Sequence, residues 1–177
     1  TDLVSQSYPT NSPISSRPDW RPGQGKPGES LPDMQKQALD RFGVAYGICN
    51  PLYGVQMVFS EDMQDAFCRA LNDWLAREWL DKDARLRGSI VIPTQSVEKS
   101  AAEIERCAKV GGYVQINVCP RANEPLGRRR YWPIYERAQE LDLPLGIHVG
   151  GYGGHAPTAS GHPSYYNEEH HSNAHSM

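Results

Sequence analysis

All six histidines, His148, His155, His162, His170, His171 and His175, fall in the last thirty residues of the chain, and the preceding four-fifths holds none. Imidazole titrates near neutrality and binds transition metals, so this concentration points to metal or acid–base chemistry local to one end. His148 differs from the others in its setting, Leu143-Pro144-Leu145-Gly146-Ile147-His148-Val149-Gly150-Gly151, an apolar run bounded by Pro and paired glycines. Such a run fits a strand buried on both faces of a parallel sheet, and a His near its C-terminal end points to the face where α/β folds carry their chemistry. A core histidine bonded to a neighbour is the alternative that the run leaves open. His171 and His175, four apart, would share one face of a helix over 165–177 capped by Ser164, but the Glu of a His-Glu-x-x-His zinc motif is missing. Gly150-Gly151-Tyr152-Gly153-Gly154 has neither the dinucleotide-loop spacing nor the Lys of a phosphate loop, so these glycines read as letting backbone pass close to a ligand or metal.

The upstream elements must deliver that strand. Residues 1–32 carry Pro9, Pro13, Pro18, Pro22, Pro27 and Pro32 among Ser, Gly and charges, an irregular arm that cannot sustain helix or ladder. Tyr8, Arg17 and Trp20 would contact substrate if the arm were a lid; a structural wrap is the other reading. From there the pattern alternates. A short helix is expected over 34–42, anchored by Leu39 and Phe42, then a strand over 44–49 stopped by Asn50-Pro51. Ser60 reads as the N-cap of a helix whose Met63, Ala66, Phe67, Ala70, Leu71, Trp74 and Leu75 form a broad apolar stripe facing a sheet. A strand over 86–92 ends at Pro93. Ser96 caps a helix with Val97, Ala101, Ile104 and Ala108 inward, closed by Gly111-Gly112. A strand over 113–118 follows, and Pro133 opens a helix with Ile134, Ala138 and Leu141 inward.

Strands alternating with helices mean right-handed crossovers and a parallel sheet. Four such strands fit either half of an eight-stranded barrel or an open doubly wound sheet. In both, the loops after the strands form the active face. They carry Asn50, Tyr53 and Gln56, then Thr94 and Gln95, then Arg121, Asn123 and the arginines at 128–130, then His148, Tyr152 and His155. This polar, partly cationic rim suits a small substrate bearing carboxylates, with Tyr53, Gln95 and Arg121 orienting it. The arginine run also fits a solvated turn, and Cys119 fits either a nucleophile or a buried thiol.

With 177 residues and a formal charge of -3, the chain fits one domain and shows no electrostatic footprint for nucleic acid or an anionic membrane. No apolar run approaches the ~20 residues of a bilayer span. Thr1-Asp2-Leu3-Val4-Ser5 has neither a basic start nor an apolar core, so no secretory signal is expected. Cys49, Cys68, Cys107 and Cys119 are widely spaced, as buried thiols in a reducing, cytoplasmic compartment would be.

Three stretches, Leu39-Asp40-Arg41-Phe42-Gly43-Val44, Tyr131-Trp132-Pro133-Ile134-Tyr135-Glu136-Arg137-Ala138 and Leu143-Pro144-Leu145-Gly146-Ile147-His148-Val149-Gly150, resemble the metal-dependent amidohydrolase superfamily, in the branch of aminocarboxymuconate-semialdehyde decarboxylase. The resemblance runs from about residue 33 to the end. It implies strands two to five of a (β/α)8 TIM-type barrel over 33–177, with residues 1–32 as an arm. It also implies a divalent metal, usually zinc, held by a His-x-His pair on the first strand, a His on the fifth and an Asp on the eighth. His148 matches the fifth-strand ligand, and no residue of this sequence matches the others. The chain is therefore expected to be an excerpt of a longer hydrolase or decarboxylase acting on a small carboxylate-bearing or aromatic compound. Its partner would be a homo-oligomer mate or the remainder of the same barrel. The competing expectation is a non-catalytic α/β module whose His170, His171 and His175 bind metal or a partner.

Overall fold

Three of the four helices start where a serine side chain can satisfy a backbone amide that has no partner within the helix. The computed structural model describes residues 29–51, 55–58, 60–119, 124 and 126–148. Within them Ser30, Ser60 and Ser96 accept from the N–H groups of Asp33, Met63 and Lys99 at 3.3, 3.4 and 3.5 Å. The helices are α1 (Leu31–Met34), which runs on into a π-helical segment, Gln35–Asp40, then α2 (Glu61–Glu78), α3 (Val97–Val110) and α4 (Trp132–Glu140). Pro133 sits in the first turn of α4, where its missing N–H costs nothing. Gly111 and Gly112 end α3 at φ of 87° and 78°, a conformation that strains other residues.

Between the helices run β1 (Gly47–Cys49), β2 (Leu86–Val91), β3 (Tyr113–Val118) and β4 (Leu145–Ile147), all parallel and hydrogen-bonded in chain order, β1-β2-β3-β4. That order decides between the two architectures. A doubly wound sheet reverses direction at a switch point, which moves its first strand inside. Right-handed crossovers without reversal stack every helix on one face and leave the other as the lining of a barrel. The side chains agree with the second case. Leu86, Ile90, Ile92, Tyr113, Ile116 and Val118 pack with Leu75, Trp79, Ile104, Cys107, Ile134 and Ala138 in one core. Ser89, Gln115 and Asn117 alternate with them along the strands and so occupy the opposite, inner face.

Two expectations need correction. Helix α2 does not bury the apolar stripe. It buries Gln64, Cys68, Asn72, Leu75 and Ala76, and leaves Met63 and Phe67 at 50% and 42% exposure. Hydrogen bonding turns the helix. Asn72 Nδ2 donates to Val91 O at 2.9 Å and to Glu103 Oε1 at 2.7 Å, and Asn72 Oδ1 accepts from Val91 N at 3.0 Å. A buried amide that completes backbone and carboxylate bonds outweighs burial of two apolar side chains near the helix start. The first helix also begins earlier than expected, at Leu31, and Phe42 is 57% exposed while Leu39 is buried at 3%. Gly43, at φ 57°, turns the chain away before Phe42 can reach the core.

All four cysteines are free thiols. Among the described residues no helix is long and apolar enough to cross a membrane.

Replacing Asn72 with Ala strands the Val91 amide and carbonyl and one bond of the buried Glu103 carboxylate. The expected loss is about 2–4 kcal/mol, read as a lower urea midpoint at unchanged slope.

Candidate active site

The inner face is built in two levels. At the lower one, Ser89 Oγ donates to Asn50 Oδ1 at 2.5 Å, and Gln115 Nε2 donates to Asn50 Oδ1 at 3.0 Å and to Ser89 Oγ at 2.7 Å. Three strands thus share one closed polar floor. Gly146 of β4 makes room for it, because a Cβ there would stand 3.0 Å from Gln115 Nε2.

The upper level is the rim at the strands' C-terminal ends. Gln56, in the 3-10 turn Val55–Met57, donates through Nε2 to Asn117 O at 2.8 Å and to Ile92 O at 3.3 Å. Its Oε1 accepts from Cys119 Sγ at 3.0 Å. One side chain therefore ties the loop after β1 to the ends of β2 and β3. Gln64 Nε2 donates to Gln56 O at 2.8 Å, and Gln64 Oε1 accepts from Gln95 N at 3.1 Å. Arg130 Nη2 reaches Gln95 O at 3.0 Å, and its Nη1 pairs with Glu124 at 2.8 Å.

His148 directly follows β4 and extends the ladder, its N–H donating to Val118 O at 2.9 Å. By strand alternation it lies on the inner face with Gly146, half-buried. Among the described residues no side chain bonds its imidazole, so the reading of a core histidine tied to a neighbour finds no support there. On β3 the neighbouring inner residue, Asn117, pairs in register with Gly146 and is 2% exposed. Its Nδ2 is buried without an acceptor among the described residues. An orphan donor of this kind costs about 1–3 kcal/mol.

Of the residues singled out in the sequence, His148 is brought into this inner level. Gln95 is at the rim, but its side-chain amide donates to Val58 O and braces the loop instead of standing free. Tyr53 and Arg121 lie outside the described residues, as do Asn123, Tyr152, His155 and the histidines of the tail. Cys119 is no activated nucleophile: burial pushes its thiol up to about 11, so it stays protonated at neutral pH. Gln56 stands on the rim where the loop after the first strand was expected to place it, whereas Asn117 and Gln64 are not among the sequence's candidates. The available signal was the alternation in Tyr113-Val114-Gln115-Ile116-Asn117-Val118, where amides at every second position mark the side of a buried strand that is not hydrocarbon.

As a metal ligand His148 fits in chemistry, with an imidazole free of bonds to described side chains at a strand end. It would be one ligand of several, since the described residues contain no group of three or more His, Cys, Asp or Glu able to hold an ion.

A family model described as Amidohydrolase matches residues 5–168. Gamma-resorcylate decarboxylase of Polaromonas sp. (strain JS666) is 30% identical over 129 residues, 67% of this chain and 39% of that protein. The chain thus spans about two-fifths of that relative's length. A 2,6-dihydroxybenzoate decarboxylase structure from Rhizobium shares the fold at TM-score 0.64 and 21% identity, covering 80% of this chain and 44% of its own. A dihydroxybenzoic acid decarboxylase structure from Polaromonas sp. JS666, with bound manganese and the inhibitor 2-nitroresorcinol, aligns at TM-score 0.59 and 28% identity over 74% of this chain and 40% of its own.

Alkylation of Cys119 is expected to be slow at pH 7 and to climb about tenfold per pH unit toward its raised pKa. Gln56→Ala, which frees the thiol and the two strand-end carbonyls, should speed labelling at Cys119 and leave the buried Cys68 and Cys107 unlabelled, as read by peptide mass spectrometry.

Proposed function

The chain belongs to the amidohydrolase family, and on that premise we propose that it is a sector of a metal-dependent barrel enzyme that removes the carboxylate of a small aromatic acid. The observation that carries this reading is the position of His148, at the C-terminal end of β4 on the inner face, with its ring unbonded by described side chains. In the reaction the bond between ring carbon and carboxylate breaks, carbon dioxide leaves, and the ring carbon takes a proton. His148 would hold a divalent cation as a neutral ligand through one ring nitrogen. Bound there, the cation supplies a Lewis acid to the oxygens of the acid. Manganese is the first ion to test, since a relative's structure contains it, and zinc, implied by the resemblance, is the second.

The protein's own residues supply the frame. The Asn50–Ser89–Gln115 floor closes the inner face below, and Gln56 fixes the ends of β2 and β3. Tyr53 and Arg121 remain our choices for orienting the acid, by their place in the loops after β1 and β3; Gln95 joins them only through the rim it braces. Among the described residues β1 and β4 are the edge strands, with Ile48 and Ile147 at 51% and 44% exposure, and their outer edges are where the remaining barrel strands would pair, from the same polypeptide or a second copy.

The test uses the protein that carries these residues, loaded with manganese or zinc and given 2,6-dihydroxybenzoate. Release of carbon dioxide is expected. His148→Ala should lower metal occupancy, measured by mass spectrometry at equal cation concentration, by more than about tenfold. Unchanged stoichiometry with full turnover would overturn the ligand role.

A further inference from the structure

We propose that the Asn117 carboxamide is a substrate-recognition group, donating from Nδ2 to an anionic oxygen of the aromatic acid. The inference rests on the aromatic-carboxylate reading above and names a residue that recognises that substrate.

Two amides on the inner face of β3 differ in one respect. Gln115 spends its Nε2 within the protein, on Asn50 and Ser89, and so belongs to the floor. Asn117, one inner position nearer the mouth, has a buried Nδ2 with no acceptor among the described residues. Gln56 Nε2 holds its backbone carbonyl at 2.8 Å, so the main chain that carries the amide is fixed. Nor can the facing strand supply one, since its register partner there is Gly146, which has no side chain. The next inner residue along β4 is His148. The donor therefore stands on the same inner face as the candidate ligand, one inner position below it in the ladder, and an incoming oxygen would complete it. A charged oxygen is the strongest acceptor for an amide N–H in such a dry setting. A site built around a fixed polar group also rejects ligands that leave that group unpaired.

The experiment measures KM and kcat for 2,6-dihydroxybenzoate, metal content and thermal midpoint in the metal-loaded protein and in Asn117→Leu and Asn117→Asp. Asn117→Leu should raise KM about ten- to one-hundred-fold, with metal content kept and the thermal midpoint unchanged or higher, because a buried unpaired donor has gone. Asn117→Asp, which puts an acceptor against an anion, should bind the acid more weakly still. Asn117→Ala gives the same comparison if leucine does not fit. A lower midpoint with KM within twofold of the parent would make Asn117 a structural residue and overturn the proposal alone. A parent protein that neither binds nor decarboxylates the acid would overturn the functional reading and this inference together.

Discussion

Carbonyl groups at the C-terminal ends of the inner strands have to find donors where the sheet stops and the mouth begins, and side-chain amides meet that demand. Asn72 serves both backbone groups of Val91 from the helix side. Gln56 serves Ile92 and Asn117 from the loop side. Water could do the same at an open surface, but a buried carbonyl cannot rely on it. The rim is consequently made of fixed dipoles whose places are set by the backbone itself.

That requirement reaches into the helices. With Asn72 and Gln64 directed inward, α2 presents a mixed face to the sheet and holds Glu103 of α3 in the bargain, since the carboxylate accepts from Asn72 at 2.7 Å and from Arg106 Nε and Nη2, each at 2.7 Å. Arg106 in turn bonds Asp73 at 2.6 Å, so α2 and α3 are joined by a polar seam, buried at Asn72 and Glu103 and open to solvent at Asp73, as well as by hydrocarbon. Cys68 and Cys107 line this seam, and burial drives both thiols far above their ordinary range.

Features fixed by neighbours in sequence were legible. Ser60 and Ser96 cap helices because a hydroxyl three residues before an amide is a local matter, and Gly111-Gly112 ends α3 for an equally local reason. The parallel sheet followed from alternation, and His148 from the apolar run around it. Barrel sector versus doubly wound sheet was not legible from periodicity, since strand order is a matter of which crossovers reverse. The buried face of α2 was misread because hydropathy scores Gln64 and Asn72 as outward residues, and only the backbone partners supplied by β2 and the Gln56 turn make them inward ones. Asn117 is legible in place, through the alternation along β3, but not in role: its interest lies in an acceptor it lacks among the described residues, which no pattern of residue types can display.

Gly146 carries a further implication. A single added carbon at that position would stand 3.0 Å from Gln115 Nε2, so the carboxamide that bonds Asn50 and Ser89 would have to give way by a few tenths of an ångström. The room that the Gln115 carboxamide occupies beside β4 is left by an absent side chain.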